Sequence, residues 1–99
     1  MLVNVIGNTY LNPDAVGKLD FSVTHTNEER VNRTVIYDLS GQHVLGDFKT
    51  EVPKSDLAQQ HDPVAFKRDN LIHAEIRLAL HEQRDARTWN ELDQIARTE

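Results

Sequence analysis

The feature that most constrains the fold is the stretch from residue 62 to residue 83, which has the signals of one long helix. Asp62 is a favourable N-cap, because its carboxylate can accept hydrogen bonds from the first unpaired backbone N–H groups. Pro63 suits the first helical position, where its missing N–H leaves no helical hydrogen bond unmade. The sequence therefore predicts a helix over residues 63–83, ended by the polar stretch RDAR.

The predicted helix carries more apolar surface than one face can bury. At about 100° per residue, a first stripe of apolar side chains forms a face that suits packing on a sheet. Its members are Ala65, Ile72, Ile76, Ala79 and Leu80, with Phe66 at the rim. This stripe is expected to pack on strands formed by the first half of the chain.

A second apolar stripe on the same helix consists of Leu71, Ala74 and Leu78. Charged residues separate it from the first stripe, so one neighbouring layer cannot cover both. Burying a leucine side chain contributes about 1.5–3 kcal/mol, and leaving two leucines in water is a large loss for a small domain. Something is therefore expected to cover the second stripe.

Two alternatives exist for that cover. In the first, the stretch TWNE begins a short helix, with Thr88 and Glu91 spaced as a capping box, and this helix folds back on the long one. In the second, the stripe is open in the monomer and docks a partner protein or a second copy. The partner-binding residues are then Leu71, Leu78, Trp89 and Leu92, and tryptophan is a frequent anchor at interfaces.

The first half of the chain has the alternation of half-buried strands. KLDFSVTHT and VNRTVIYDL predict a hairpin. Placing Phe21 and Tyr37 on the same buried face requires an odd number of connecting residues, either three (28–30) or five. The solvent-exposed face of the sheet would then carry Asp20, Ser22, Thr24, Thr26, Asn32, Thr34, Ile36 and Asp38.

The remaining segments complete an α+β fold. LVNVI and HVLGDFKTEV predict two more strands, the second with a bulge at Gly46. NPDAVGK predicts a turn or a single helical turn closed by Gly17, and KSDLAQQ predicts one helical turn capped by Ser55. The expected architecture is a four-stranded antiparallel meander with one long and one short C-terminal helix packed on one face. Residues 1–99 form a single domain, with the sheet in 1–52 and the helical part in 53–99.

Composition excludes several classes of function. The chain has no cysteine, so disulfides, thiolate catalysis and cysteine-based zinc sites are ruled out. Its 16 acidic and 11 basic residues give a net charge of −5, which weakly repels nucleic acid. The apolar runs are too short to span a membrane, and MLVNVIGN lacks the basic flank of a secretory signal. A soluble, cytoplasmic protein is expected.

The histidines form no recognisable catalytic or metal-binding motif. His73 and His81 are too far apart along one helix to share a metal ion, and Asp69 lies where it could form a surface ion pair with His73. Both histidines are expected to be scaffold or solvated, with no cofactor and no metal. A small enzyme built on His25 or His43 is a minor alternative, because a catalytic histidine needs an orienting partner.

A nucleic-acid-binding alternative rests on two small basic clusters, Lys67 with Arg68 and Arg84 with Arg87. Acidic residues interleave both clusters. The expected solvent-exposed face of the sheet has no aromatic side chain on which a base could stack. Nucleic acid is therefore an unfavoured partner.

These observations favour a small non-enzymatic protein-interaction module that acts as a regulator, adaptor or inhibitor of a larger protein. The expected partner is another protein, a second copy of the chain in a homodimer, or both, with no membrane contact. Phage and mobile elements encode many inhibitors of this size, so inhibition of a host defence enzyme is a more specific form of the hypothesis, based on analogy alone.

Overall fold

The computed structural model describes residues 1–53 and 62–98 and has an α+β architecture with two helices and two antiparallel sheets. In chain order the elements are β1 Val3–Ile6, β2 Thr9–Leu11, β3 Val16–His25, β4 Glu29–Asp38, β5 Val44–Pro53, α1 Pro63–Glu82 and α2 Trp89–Thr98. The predicted four-stranded meander is wrong in its strand count. β3, β4 and β5 form a three-stranded meander, and β1 pairs instead with β2.

The β1–β2 hairpin was not predicted, because the sequence analysis assigns no strand to residues 9–11 and expects β1 to join the meander. Gly7 and Asn8 connect the two strands, and Gly7 has a φ of +55°, which glycine adopts without steric cost. Val3 and Val5 of β1 are each 1% exposed. They join a core cluster with Ile36, Ile76 and Leu80, so this hairpin packs beside the C-terminal half of α1.

The turn before β3 is close to the prediction. Residues Pro13–Ala15 form one turn of 3-10 helix, and the Asn12 side chain accepts a hydrogen bond from Asp14 N at 3.0 Å. Gly17 does not close this turn as expected but lies inside β3. A Cβ at that position would collide with the carbonyl oxygen of Asp38, because β3 and β4 approach closely at a bulge.

The faces of β4 are inverted relative to the prediction. Phe21 pairs with Thr34 and His25 pairs with Arg30, so an even number of residues connects β3 and β4. The odd connection expected from the apolar alternation is therefore wrong. Asn32, Thr34 and Ile36 on one face of β4 are completely buried, whereas the sequence analysis predicts that they are exposed to solvent.

The boundaries of α1 confirm the prediction to within one residue. Asp62 caps the helix, since its Oδ1 accepts hydrogen bonds from Val64 N at 2.9 Å and Ala65 N at 3.3 Å. At the other end Gln83 has a φ of +55°, the left-handed conformation that commonly terminates helices. The helix therefore ends at Glu82 rather than at the expected residue 83.

The apolar stripe expected to face the sheet does so. Ile76 and Ala79 are completely buried, and Leu80 is nearly so. α2 folds back against α1, and its cap forms as predicted, with Thr88 Oγ1 accepting from Glu91 N at 3.2 Å.

Three smaller observations complete the fold. The bulge expected at Gly46 is confirmed by a register shift where β5 pairs with β4. The helical turn predicted at Ser55 lies outside the described residues. Within 1–53 and 62–98, neither helix is long and apolar enough to cross a membrane.

Candidate partner-binding cleft

A buried polar layer holds α1 against the sheet and fixes which of its faces points outward. His73 of α1 is 1% exposed. Its Nδ1 lies 2.6 Å from Thr34 Oγ1 and its Nε2 lies 2.7 Å from Thr50 Oγ1. Because a hydroxyl can donate or accept, these contacts satisfy both nitrogens of a neutral imidazole in either tautomer.

Burial favours the neutral form of His73. Loss of hydration lowers the pKa of the imidazole below its ordinary value; Asp69 opposes this effect and Arg77 adds to it. The expected surface ion pair with Asp69 is wrong. Asp69 is itself buried, and its Oδ2 accepts a hydrogen bond from Asn32 Nδ2 at 2.6 Å. His73 is thus a structural group inside the core, not a solvated one.

The same polar layer orients Asn70 at the edge of the helix. Asn70 Oδ1 lies 3.2 Å from Asn32 Nδ2 and 3.5 Å from Arg30 Nη2, so its carbonyl oxygen points towards the sheet. The amide Nδ2 of Asn70 forms no hydrogen bond with any residue in the described ranges. This group is therefore available to donate to a ligand.

Above this layer, the outer face of α1 is the floor of a cleft of about 530 Å³. Phe21 forms one wall, because its ring stacks against His73 with 5.4 Å between centroids and extends beside the helix. Ala96 of α2 lies at the opposite wall. The complete lining is Phe21, Lys67, Asn70, Leu71, Ala74, Arg77 and Ala96. The cleft thus contains Leu71 and Ala74 of the second apolar stripe, together with two cations.

Those two cations lack a carboxylate partner among the residues the structure describes. Neither Lys67 nor Arg77 takes part in an ion pair there, and the guanidinium of Arg77 lies 5.8 Å from the centroid of the Phe21 ring. No acidic residue lines the cleft within the described ranges 1–53 and 62–98. The cleft is therefore apolar at its floor and positive at its rim, although the chain as a whole is acidic.

Three of the four basic residues considered for nucleic-acid binding are held by carboxylates. Arg68 Nη1 lies 2.5 Å from Asp93 Oδ1, and Arg84 Nη1 lies 2.5 Å from Glu75 Oε2. Arg87 lies at the same carboxylate, to which its backbone N donates at 2.9 Å. Of these four, only Lys67 has no carboxylate partner in the described part of the chain, so these residues do not form a positive surface.

The four partner-binding residues predicted from the sequence do not lie on one surface. Leu71 is half-buried and lines the cleft, and Leu78 is 43% exposed on the same side of α1. Trp89 is 54% exposed beneath the guanidinium of Arg68, whose Cζ is 4.6 Å from the ring centroid. Leu92 is only 4% exposed and is therefore part of the core.

No family model, curated protein or solved structure compared with this chain matches it. The residues and their geometry therefore carry the functional argument.

Trp89 and Leu92 line a second, smaller pocket of about 190 Å³ between α2 and β1. Its walls are mostly apolar, and Asn4 contributes to them. Asn4 Oδ1 is a buried acceptor without a hydrogen-bond partner among the described residues, while its Nδ2 donates to Gly7 O at 2.7 Å. This pocket shares no lining residue with the cleft, and its one described cation, Arg87, lies near the carboxylate of Glu75.

His25 and His43 lie at opposite ends of the three-stranded sheet and do not form a common site. His25 pairs with Arg30 at one end of β4, and His43 lies next to Asp38 at the other end. Eight residues of extended strand separate these ends by about 26 Å. In the described part of the chain, no group of three or more histidine, aspartate or glutamate side chains is arranged to hold a metal ion.

Sequence reasoning missed four residues of the cleft. The sequence pattern assigns Phe21 to the core and gives Asn70, Arg77 and Ala96 no binding role. The sequence does indicate that these two cations form no ion pair within α1, because neither Lys67 nor Arg77 has an acidic residue three or four positions away. Such cations have no intrahelical partner and are free to serve another contact.

Proposed function

We propose that the protein is a small, non-enzymatic, cytoplasmic protein-interaction module that binds a larger partner through the cleft on the outer face of α1. The observation that carries the proposal is the exposed combination of apolar and cationic side chains in that cleft. Binding there would cover Leu71, Ala74 and the projecting ring of Phe21. Regulation or inhibition by occluding a partner's surface is the mode of action that such a small domain can perform without a catalytic centre.

A different protein suits the cleft better than a second copy of this chain. In a two-fold symmetric dimer the same patch contacts itself. Lys67 and Arg77 would then approach their own counterparts, and like charges brought together across an interface cost several kcal/mol. The expected homodimer therefore stays a prediction that would have to use another surface, such as the outer edge of β3.

The more specific form of the proposal is inhibition of a host defence enzyme by a phage-encoded or mobile-element-encoded protein. It rests on the size of the domain and on analogy. The partner recovered in the experiment below would decide it.

Affinity purification from the native host, followed by mass spectrometry, tests the proposal. We expect the wild-type chain to recover a partner protein that is lost with Ala74→Glu, which places a carboxylate on the floor of the cleft. Ser22→Glu is the matched control, because Ser22 is exposed on the opposite face of the sheet. Circular dichroism checks that both variants fold. Recovery of the same proteins with both variants would contradict the proposal.

A further inference from the structure

We infer that the occupant of the cleft is an acidic amphipathic helix presented by the partner protein. The inference rests on the proposed function and deepens it by naming the chemistry of the bound segment. Lys67 and Arg77 supply two unpaired positive charges within the described chain, and the amide Nδ2 of Asn70 supplies a donor between them. Carboxylates are the groups that complement this set, and none of the described lining residues carries one.

The placement of the two cations fits a helix lying along α1. They are ten residues apart, which is about 15 Å along the helix axis, and about 80° apart around it. They therefore flank the line of Asn70 and Ala74 on opposite sides. A bound helix with acidic residues near both ends of its contact face, on opposite sides of an apolar stripe, would meet both charges.

The floor of the cleft is shaped for close approach of a helix. Ala74 and Ala96 are small side chains on two different helices, and both line the cleft. Helices pack at interaxial distances of about 8–10 Å when the ridge of one enters a groove of the other. Leu71 and Phe21 then contact the apolar stripe of the bound segment, as in other helix-in-groove complexes.

Nucleic acid and a second copy fit the same observations less well. A phosphate backbone is bound by rows of cations, and the cleft offers only Lys67 and Arg77 among its lining residues. Its floor is apolar, which matches leucine-type side chains better than phosphates or sugars. A second copy of this chain would add like charges in a symmetric contact.

Titration of the isotope-labelled full chain with designed peptides tests the inference. The first probe is an amphipathic helical peptide of about 18 residues, or five turns, with leucines on one face flanked by glutamates. The second has every glutamate replaced by lysine. We expect the acidic peptide to shift the backbone amide signals of Lys67, Ala74 and Arg77 and the basic peptide to leave them unchanged. Equal binding of both peptides, or shifts confined to another surface, would overturn the inference.

Charge reversal supplies the matched variants. We expect Lys67→Glu with Arg77→Glu to weaken the acidic peptide at least about tenfold. Lys18→Glu with Lys49→Glu changes the net charge equally on the opposite face of the sheet and should alter the affinity less than about twofold. Equal loss in both pairs would overturn the inference, because it would show only a general charge effect. If a single-stranded oligothymidylate binds the same residues more tightly than the acidic peptide does, the inference is overturned in favour of nucleic-acid binding.

The outcome separates this inference from the proposed function. If the partner captured from the host is lost with Ala74→Glu but kept with the Lys67→Glu and Arg77→Glu pair, the cleft is a protein-binding site and its occupant is not acidic. If capture does not depend on Ala74, the proposed function itself fails.

Discussion

At the scale of single residues, polar side chains decide which face of β4 packs against α1. Asn32 and Thr34 are completely buried, and α1 supplies a partner for each, Asp69 and His73. A buried polar group without a partner costs about 1–3 kcal/mol, so this face can be buried only because the helix carries matching groups. Val35, on the opposite face, remains half-buried.

The neutral state of His73 predicts a pH-dependent stability. Its pKa is lower in the folded protein than in the unfolded chain, so between these two values the unfolded chain binds more protons. The free energy of unfolding should therefore fall as the pH drops below about 6.5, by up to about 1.4 kcal/mol per pH unit. Urea denaturation between about pH 5 and pH 7 measures this slope, in a window above the titration of most carboxylates.

His73→Gln should lose the contribution of His73 to this fall in the free energy of unfolding with decreasing pH. His81→Gln, at an exposed position of the same helix, should keep it. If His73→Gln does not fold, titration of the His73 ring signals by NMR still tests the prediction. A His73 pKa at or above the ordinary histidine value would contradict it.

At the scale of elements, the connection between α1 and α2 depends on one buried carboxylate. Glu75 is 3% exposed and accepts hydrogen bonds from Arg84 Nη1 and from the backbone N of Arg87. Burial acts to raise the pKa of Glu75, but these hydrogen bonds and the charges of both arginines lower it overall. The bonds position the segment that leads into α2, and so they help to place Ala96 at the wall of the cleft.

Glu75→Gln should therefore destabilise the protein. We expect a loss of about 1–3 kcal/mol in the free energy of unfolding, because the charge-assisted bonds are weakened in a buried site. Glu82→Gln removes an exposed carboxylate that also contacts Arg84 and should cost less than about 1 kcal/mol. Urea denaturation at neutral pH compares the two, and equal losses would count against the assigned role of Glu75.

Local sequence signals predicted both helices, whereas the buried face of β4 depends on contacts between elements. Asp62, Pro63 and Thr88 mark helix starts through their own backbone chemistry, so the sequence located both helices closely. The face of β4 depends on residues about 40 positions away in α1, which a strand's own alternation does not contain. β2 is only three residues long, although the Gly-Asn pair before it was an available hairpin signal.

The candidate site was predicted only in part for the same reason. The second stripe of α1 correctly indicated a surface with Leu71 that the sheet would not cover. The walls could not be foreseen, because Phe21 reaches the cleft only when β3 pairs with β4 in the observed register. The length of α2 and the position of Ala96 likewise depend on how the helices pack.

At the scale of the whole molecule, charge is distributed unevenly. The chain has a net charge of −5, yet the cleft presents cations without acids. Several described cations elsewhere, among them Arg33, Arg68 and Arg84, are paired with carboxylates. Arg30 instead contacts the side chains of Asn32 and Asn70. The net negative charge would therefore repel an acidic segment overall, whereas the cations of the cleft would attract it, which favours one docking orientation.

The central claim is that the outer face of α1 is open in the free protein and becomes covered in the complex. Because the chain has no cysteine, single cysteines can report on this directly through their rate of reaction with a thiol reagent. In the free protein, Ala74→Cys should react at least about tenfold faster than Ala79→Cys, which is completely buried and reacts only when the structure opens.

Adding the captured partner should slow Ala74→Cys at least about tenfold and leave Ser22→Cys, on the opposite face, unchanged. The contradicting result is an Ala74→Cys thiol that is as protected as Ala79→Cys in the free protein, or one whose reaction rate the partner does not change.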